Sequence, residues 1–207
     1  MKLSRKPMKK IFFDNHVFCV LENVYEPAED TFLLAENLCV SKNDFVLDMG
    51  TGCGILGILA AKKARSVIAV DINPYAVYCA KMNAKLHRVE RKMNILRGDL
   101  FQPIKTGEKF DMILFNAPYL PSEKEERKTW IDRAWAGGLG GRELIDRFLL
   151  EAPKHLKMDG SFLLVQSTLS DVDETMQTLR KIGLKARVLA KEKVAFETLV
   201  VIEAKHL

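Results

Sequence analysis

The sequence predicts an α/β protein built on a seven-stranded, mostly parallel sheet, with helices on both faces and a final antiparallel hairpin. Three observations carry this expectation. Short apolar runs alternate with longer stretches of helical character along most of the chain, the pattern of successive right-handed βαβ crossovers. Residues 46–49, apolar but for Asp48, run into the alternating glycines Gly50, Gly52 and Gly54 and re-emerge as the apolar stretch 55–61, so a strand passes through a tight loop into a helix. Near the end, 184–190 and 196–204 lie too close together for an intervening helix, and an antiparallel hairpin accounts for them.

Composition sets the frame. A chain of 207 residues with 48% hydrophobic content can bury one sizeable core, so we expect a single domain over 25–207 preceded by an N-terminal arm over 1–24. The formal charge of +5 suits an anionic partner such as nucleic acid, and equally suits plain solubility. Cys19, Cys39, Cys53 and Cys79 are scattered without C-x-x-C spacing, which implies neither a metal site nor a disulfide framework and points to a reducing, cytoplasmic setting. The longest apolar runs fall far short of the roughly 18 residues of a membrane span, and 1–10 is basic without an apolar signal core. The expectation is a soluble protein with no membrane contact.

Taken in order, 11–20 carries apolar pieces that suit a small hairpin or arm. Tyr25-Glu26-Pro27-Ala28-Glu29-Asp30-Thr31 then reads as a helix start, with proline in the first turn and acids at the positive dipole end. That helix is either a well-capped surface element or the roof of a ligand pocket, with the Thr31 hydroxyl as a hydrogen-bonding group. The strand 45–49 follows and enters the glycine loop. Gly52-Cys53-Gly54-Ile55-Leu56-Gly57 satisfies G-x-G-x-x-G, which by itself suggests a dinucleotide site. Asp48 shifts the balance. A carboxylate just ahead of the glycines is a poor neighbour for pyrophosphate and a good one for the cationic amino-acid part of S-adenosylmethionine.

The strand 66–71 ends in Asp71, roughly 20 residues beyond the loop, where an acid can accept both hydroxyls of a ribose. This supports an adenosine ligand without choosing between a nicotinamide cofactor and a methyl donor. Asn73-Pro74 opens the next helix, to about Leu86. A third strand ends at Gly98-Asp99-Leu100, which reads either as a turn or as an adenine site, with Asp99 accepting from the exocyclic amine and Leu100 touching the ring. The strand 110–115 runs into Asn116-Ala117-Pro118-Tyr119. Beyond it, 121–133 is a mixed-charge stretch, a solvated loop or a lid, and 134–142 is a glycine-rich segment that suits a mobile flap. A helix over 143–151, a strand over 161–166 and a helix over 172–182 lead to the closing hairpin. In such sheets ligands sit at the carboxyl ends of the strands, which sets Asp48, Asp71, Asp99 and Asn116 along one rim.

The tetrapeptide fits one chemical problem. The nitrogen of a planar NH2 group is a weak nucleophile, because its lone pair is delocalised into a carbonyl or ring. Accepting both N–H groups, on the Asn116 side-chain oxygen and the Ala117 backbone carbonyl, aims the nitrogen at a methyl donor, and positioning is the catalytic term. Pro118 stiffens the turn and Tyr119 packs its ring on the planar group.

At these residues the chain resembles the class I S-adenosylmethionine-dependent methyltransferases, with their Rossmann-like fold, and more narrowly the HemK-like amino-group methyltransferases marked by Asn-Pro-Pro-Tyr. Tyr-Glu-Pro-Ala-Glu-Asp-Thr-Phe-Leu-Leu at 25–34, Ala-Trp-Ala-Gly-Gly at 134–138 and Gly-Arg-Glu at 141–143 look like the eukaryotic and archaeal branch that acts on class-1 translation release factors. The resemblance implies the glutamine of the release factor's Gly-Gly-Gln motif as substrate and N5-methylglutamine as product. It implies donor contacts at Thr31, Asp48, Gly50, Asp71, Asp99, Leu100 and Asn116, to which the loop reading adds Gly52 and Gly54, and a substrate clamp of Asn116, Pro118 and Tyr119. Ala117 departs from the family pattern by replacing its first proline. Members of this branch work with a small zinc-binding activator that adds a strand to the sheet edge, and 93–98 is the expected docking edge. The competing expectations are a nucleic-acid adenine N6-methyltransferase, which faces the same planar amine, a nicotinamide dehydrogenase, and a non-catalytic donor-binding protein.

Overall fold

The computed structural model describes residues 9–126 and 128–207. Its elements are β1 (Lys9–Phe13), β2 (His16–Val20), α1 (Glu29–Glu36), β3 (Phe45–Met49), α2 (Ile55–Lys63), β4 (Ser66–Asp71), α3 (Pro74–Leu86), β5 (Met93–Arg97), β6 (Phe110–Asn116), α4 (Trp130–Trp135), α5 (Glu143–Glu151), β7 (Leu156–Ser167), α6 (Val172–Lys181), β8 (Leu184–Lys193) and β9 (Thr198–His206). Seven strands form one sheet in the order β5-β4-β3-β6-β7-β9-β8, parallel from β5 to β7 and antiparallel across β9 and β8. The expected architecture is therefore the observed one.

The central strands are apolar on both faces because both faces are covered. Successive side chains alternate between two cores. Val46, Ala69, Leu114 and Val165 pack with Ile58 and Ala60 of α2 and Ala80 of α3, while Leu47, Met49, Ile113, Phe115 and Phe162 pack with Phe148 of α5. Phe148 is the hub of the second core, 4.7 Å from the Phe115 ring and edge-on to Phe162 at 5.3 Å. Asn73 caps α3 by accepting from the Tyr75 N–H, with Pro74 behind it, as the Asn-Pro signal implies.

Residues 9–20 form a hairpin outside the main sheet, whose Phe18 and Val20 enter the first core. Buried Asn83 of α3 joins it to the glycine loop: its side-chain oxygen accepts from the Cys19 N–H, and its amide donates to the carbonyls of Cys19 and Cys53, each at 2.8 Å. The basic start of the chain, 1–8, lies outside the described residues.

Two expectations change. The stretch 121–133 contains a helix start, because Thr129 and Asp132 form a reciprocal capping box at the head of α4. β7 begins five residues earlier than the turn at Asp159-Gly160 suggests, with an irregularity in its pairing to β6. A Cβ at Gly160 would stand 2.9 Å from the Phe110 carbonyl oxygen, so a glycine is needed for that close approach. Among the described residues, no helix is long and apolar enough to cross a membrane.

Candidate active site

The carboxyl ends of β3, β4, β5 and β6 open onto a cavity of about 500 Å³. Of the expected site residues, Thr31, Gly50, Gly52, Asp71, Asp99, Leu100, Asn116, Ala117, Pro118 and Tyr119 all line it. Asp48 and Gly54 do not. Gly50 and Gly52 have φ of 65° and 56°, and nothing lies within 4 Å of where a Gly52 Cβ would stand, so the bare backbone faces the cavity. Gly54, with φ of 91°, instead lets α3 approach, since a Cβ there would come to 3.1 Å from Ala80.

Asp48, the expected contact for an ammonium group, lies behind the glycine loop and is not among the residues lining the cavity. The residue is 0% exposed and its Oδ2 accepts from the Thr51 hydroxyl and from the Gly57 N–H at 2.9 Å. It thus ties the glycine loop to the start of α2 from behind. Burial pushes its carboxyl up to about 7 against the pull of those two donors, and its Oδ1 has no partner.

Asp71 ends β4 in the cavity wall. Its oxygens accept from the N–H groups of Gly52 at 2.8 Å and Asn73 at 2.9 Å, which orients the carboxylate while leaving lone pairs for a diol. Desolvation pushes this group up to about 6. Asp99 accepts from Arg147 of α5 at 2.7 Å, a partner that no sequence signal indicated. Ile72 and Leu100 provide apolar surface beside it.

The clamp residues are held from two sides. The Asn116 amide nitrogen donates to the Thr31 hydroxyl oxygen at 3.0 Å, and Asn116 Oδ1 is buried with no partner. The Thr31 hydroxyl donates in turn to Asp30, at 3.0 Å, and Asp30 also accepts from the phenols of Tyr25 at 2.9 Å and Tyr119 at 3.5 Å. Burial, and after it the Asp30 carboxylate, push both phenols far above their ordinary range. The helix-start reading treated Asp30 as a dipole partner, because its inward direction leaves no sequence signal.

The glycine-rich 134–142 is a brace under the clamp, where a mobile flap was expected. Leu120 donates to Trp135, Gly137 to Leu120 and Ser122 to Gly138, with N···O distances of 2.8–3.0 Å. A Cβ on Gly137 would come to 2.7 Å from the Pro118 carbonyl oxygen, and one on Gly141 would collide with that of Tyr119. The glycines therefore serve close backbone packing. Arg142 anchors the segment, one terminal guanidinium nitrogen with its two protons lying 2.7 Å from the carbonyl oxygens of Ser170 and Asp171 and 2.9 Å from the Thr175 hydroxyl oxygen. Trp130 and Trp135 of α4 complete the cavity wall.

Bare glycine backbone, a preoriented acid at the end of β4, apolar flanks and an unpartnered side-chain oxygen at the end of β6 fit an adenosine ligand bearing a transferable group. Fold and site define a class I S-adenosylmethionine-dependent methyltransferase. Residues 15–195 match the model of the methyltransferase small domain family. MJ0928 of Methanocaldococcus jannaschii, whose name proposes a protein N5-glutamine methyltransferase, is 47% identical over 89% of this chain and 92% of its own. The human methyltransferase HEMK2 is 32% identical over 87% and 89% of the two chains. Among solved structures, the E. cuniculi Mtq2-Trm112 complex, described as methylating the eRF1 translation termination factor, superposes with a TM-score of 0.67 at 27% identity, over 89% of this chain and 99% of that one. The chain belongs to the methyltransferase small domain family, in its HemK/Mtq2-type branch.

Proposed function

We propose that this enzyme methylates the side-chain nitrogen, N5, of the glutamine in the Gly-Gly-Gln motif of a class-1 release factor. The observation that carries the reading is the buried, unpartnered Oδ1 of Asn116 in the cavity wall. An acceptor of this kind is costly to bury unless a donor arrives, and a primary amide brings two. Bound S-adenosylmethionine supplies an electrophilic methyl group. Gly50, Gly52, Asp71, Asp99, Leu100 and Thr31 shape its site, and Asp48 and Gly54 hold the loop that does so.

Asn116 Oδ1 and the Ala117 carbonyl take the two amide N–H groups, fixing the nitrogen with its face toward the donor. Ala117 keeps this function because the contact is a backbone one. Pro118 restricts the turn, and the Tyr119 ring covers the amide plane. The names of MJ0928 and of the Mtq2-Trm112 complex support the choice of a glutamine on a termination factor over an adenine base.

The same complex supports a Trm112-like activator as partner. β5 is the open parallel edge of the sheet, and we assign 93–98 as its docking strand. The reading keeps a single domain over 25–207, on which 9–24 pack through Phe18 and Val20, acting in the cytoplasm.

The test is transfer of labelled methyl from S-adenosylmethionine to the release factor of the same organism, with total RNA and DNA in parallel, with and without the activator. Label on the factor that disappears when the Gly-Gly-Gln glutamine is changed is the expected result. Label on nucleic acid alone overturns it.

A further inference from the structure

Asp30 is 5% exposed and, of the residues expected to hold the acceptor amide, hydrogen-bonds directly only with Tyr119, yet it is joined to Asn116 through the Thr31 hydroxyl. A carboxylate only accepts hydrogen bonds, whereas a hydroxyl has one proton to donate. The Thr31 N–H and O–H both point at Asp30 Oδ1, at 2.5 and 3.0 Å. With its proton committed there, Thr31 Oγ1 can only accept from Asn116, 3.0 Å away. The Asn116 NH2 group therefore faces Thr31, and its oxygen is left for the cavity. Without the carboxylate, the Thr31 hydroxyl could equally donate to Asn116, and the amide could turn its NH2 group inward, where it would oppose the N–H groups of a substrate amide.

We infer that Asp30 is a positioning residue that sets the polarity of the Asn116 amide through the Thr31 hydroxyl, and so makes the site selective for a hydrogen-bond-donating acceptor such as a primary amide. The role of that polarity in transfer rests on the glutamine reading above, while the polarity itself does not. Tyr25 and Tyr119, donating to the other carboxylate oxygen, keep the group from rotating. The relay needs an acceptor oxygen facing Thr31 and no charge. An Asn at position 30 can keep its oxygen toward Thr31 and turn its NH2 group to the phenol oxygens.

The experiment combines nuclear magnetic resonance on the labelled full chain with steady-state kinetics. In the wild type, through-space contacts should join the Asn116 side-chain NH2 protons to the Thr31 side chain. We expect Asp30→Asn to retain them and Asp30→Ala to lose them, with S-adenosylmethionine binding in both variants reporting an intact fold. Thr31→Val cuts the relay at its centre and Thr31→Ser restores it, which keeps the test decisive if Asp30→Ala does not fold. In transfer to the release factor, Asp30→Ala and Thr31→Val should lower kcat by about 10²-fold with KM for the factor changed much less, and the double variant should be no worse than either single one. Asp30→Asn and Thr31→Ser should recover most of the lost rate.

Unchanged Asn116 contacts in both Asp30→Ala and Thr31→Val, or additive losses in the double variant, overturn the inference. So does a loss confined to cofactor affinity. Absence of transfer by the wild type would overturn the glutamine reading and leave the resonance experiment to decide the relay.

Discussion

The Gly57 N–H donates to Oδ2 of Asp48 at 2.9 Å, and a Cβ added to Gly57 would stand 2.7 Å from that same oxygen. Helix α2 can thus approach β3 only because its third residue has no side chain. In an ordinary helix interior, Gly→Ala gains up to about 1 kcal/mol from helix propensity. Here the added methyl must displace a fully buried carboxylate or the Met93 methyl, 3.0 Å away. We expect Gly57→Ala to lower stability by about 1–3 kcal/mol in urea unfolding, opposite in sign to the propensity effect, and to weaken S-adenosylmethionine binding.

Asp48 makes the stability of the protein depend on pH in an unusual direction for a carboxylate. Its folded value is raised to about 7 from an unfolded value of 3.8, so the folded state binds the proton more tightly than the unfolded state. Its contribution is fully present below pH 3.8 and is lost as pH rises through 7, with a slope of at most about 1.4 kcal/mol per pH unit. Urea midpoints of wild type and Asp48→Asn, compared from pH 4 to 8, should show the wild type losing stability relative to the variant over that window. Parallel curves would mean that the carboxyl titrates alike in both states.

Asn116→Ala removes the acceptor but no core packing, since the residue sits at the rim where β6 ends. Transfer should fall by about 10³-fold, near the upper end of what one preorganised hydrogen-bonding group contributes. Calorimetric affinity for S-adenosylmethionine should change by less than about tenfold, the equivalent of one ordinary hydrogen bond. A large loss of affinity with kcat preserved would make Asn116 a cofactor ligand and not a substrate clamp.

Strands β3, β4 and β6 and helices α2 and α3 were legible because each is an unbroken apolar or periodic run bounded by glycine, aspartate or proline. The rim was legible for the same reason, since Asp71 and Asn116 each end a strand. What escaped were features set by direction and proximity, which spacing does not encode. Asp48 and Asp71 look alike as acids at strand tips, yet one points behind the loop and the other into the cavity. Gly137 and Gly141 look like hinges, yet they exist to let two backbones meet. Arg142 and Asp30 each bind several partners that are far apart in sequence or hidden among ordinary helix-start residues. Helix α4 was missed because its two turns lie inside a run of mixed charge, although its Thr129-x-x-Asp132 cap was there to be read.

The docking edge can be tested through the backbone of β5. The Lys92 carbonyl accepts from the Val67 N–H at 2.8 Å and the Gly98 N–H donates to the Asp71 carbonyl at 3.0 Å, so even-numbered residues bond β4. By the period of two, the N–H groups of Met93, Ile95 and Arg97 face the open edge. Arg97 is also exposed, so a proline there removes one outward donor and, apart from the Arg97 Nε–H bond to the Ile72 carbonyl at 3.3 Å, leaves the β4 ladder and the core untouched. Strand addition by an activator needs that donor, whereas a partner seated on the helices does not. Arg97→Pro should therefore weaken the complex at least tenfold in pull-down titration while retaining thermal stability and S-adenosylmethionine binding, and wild-type affinity in this variant would move the partner to another face of the sheet.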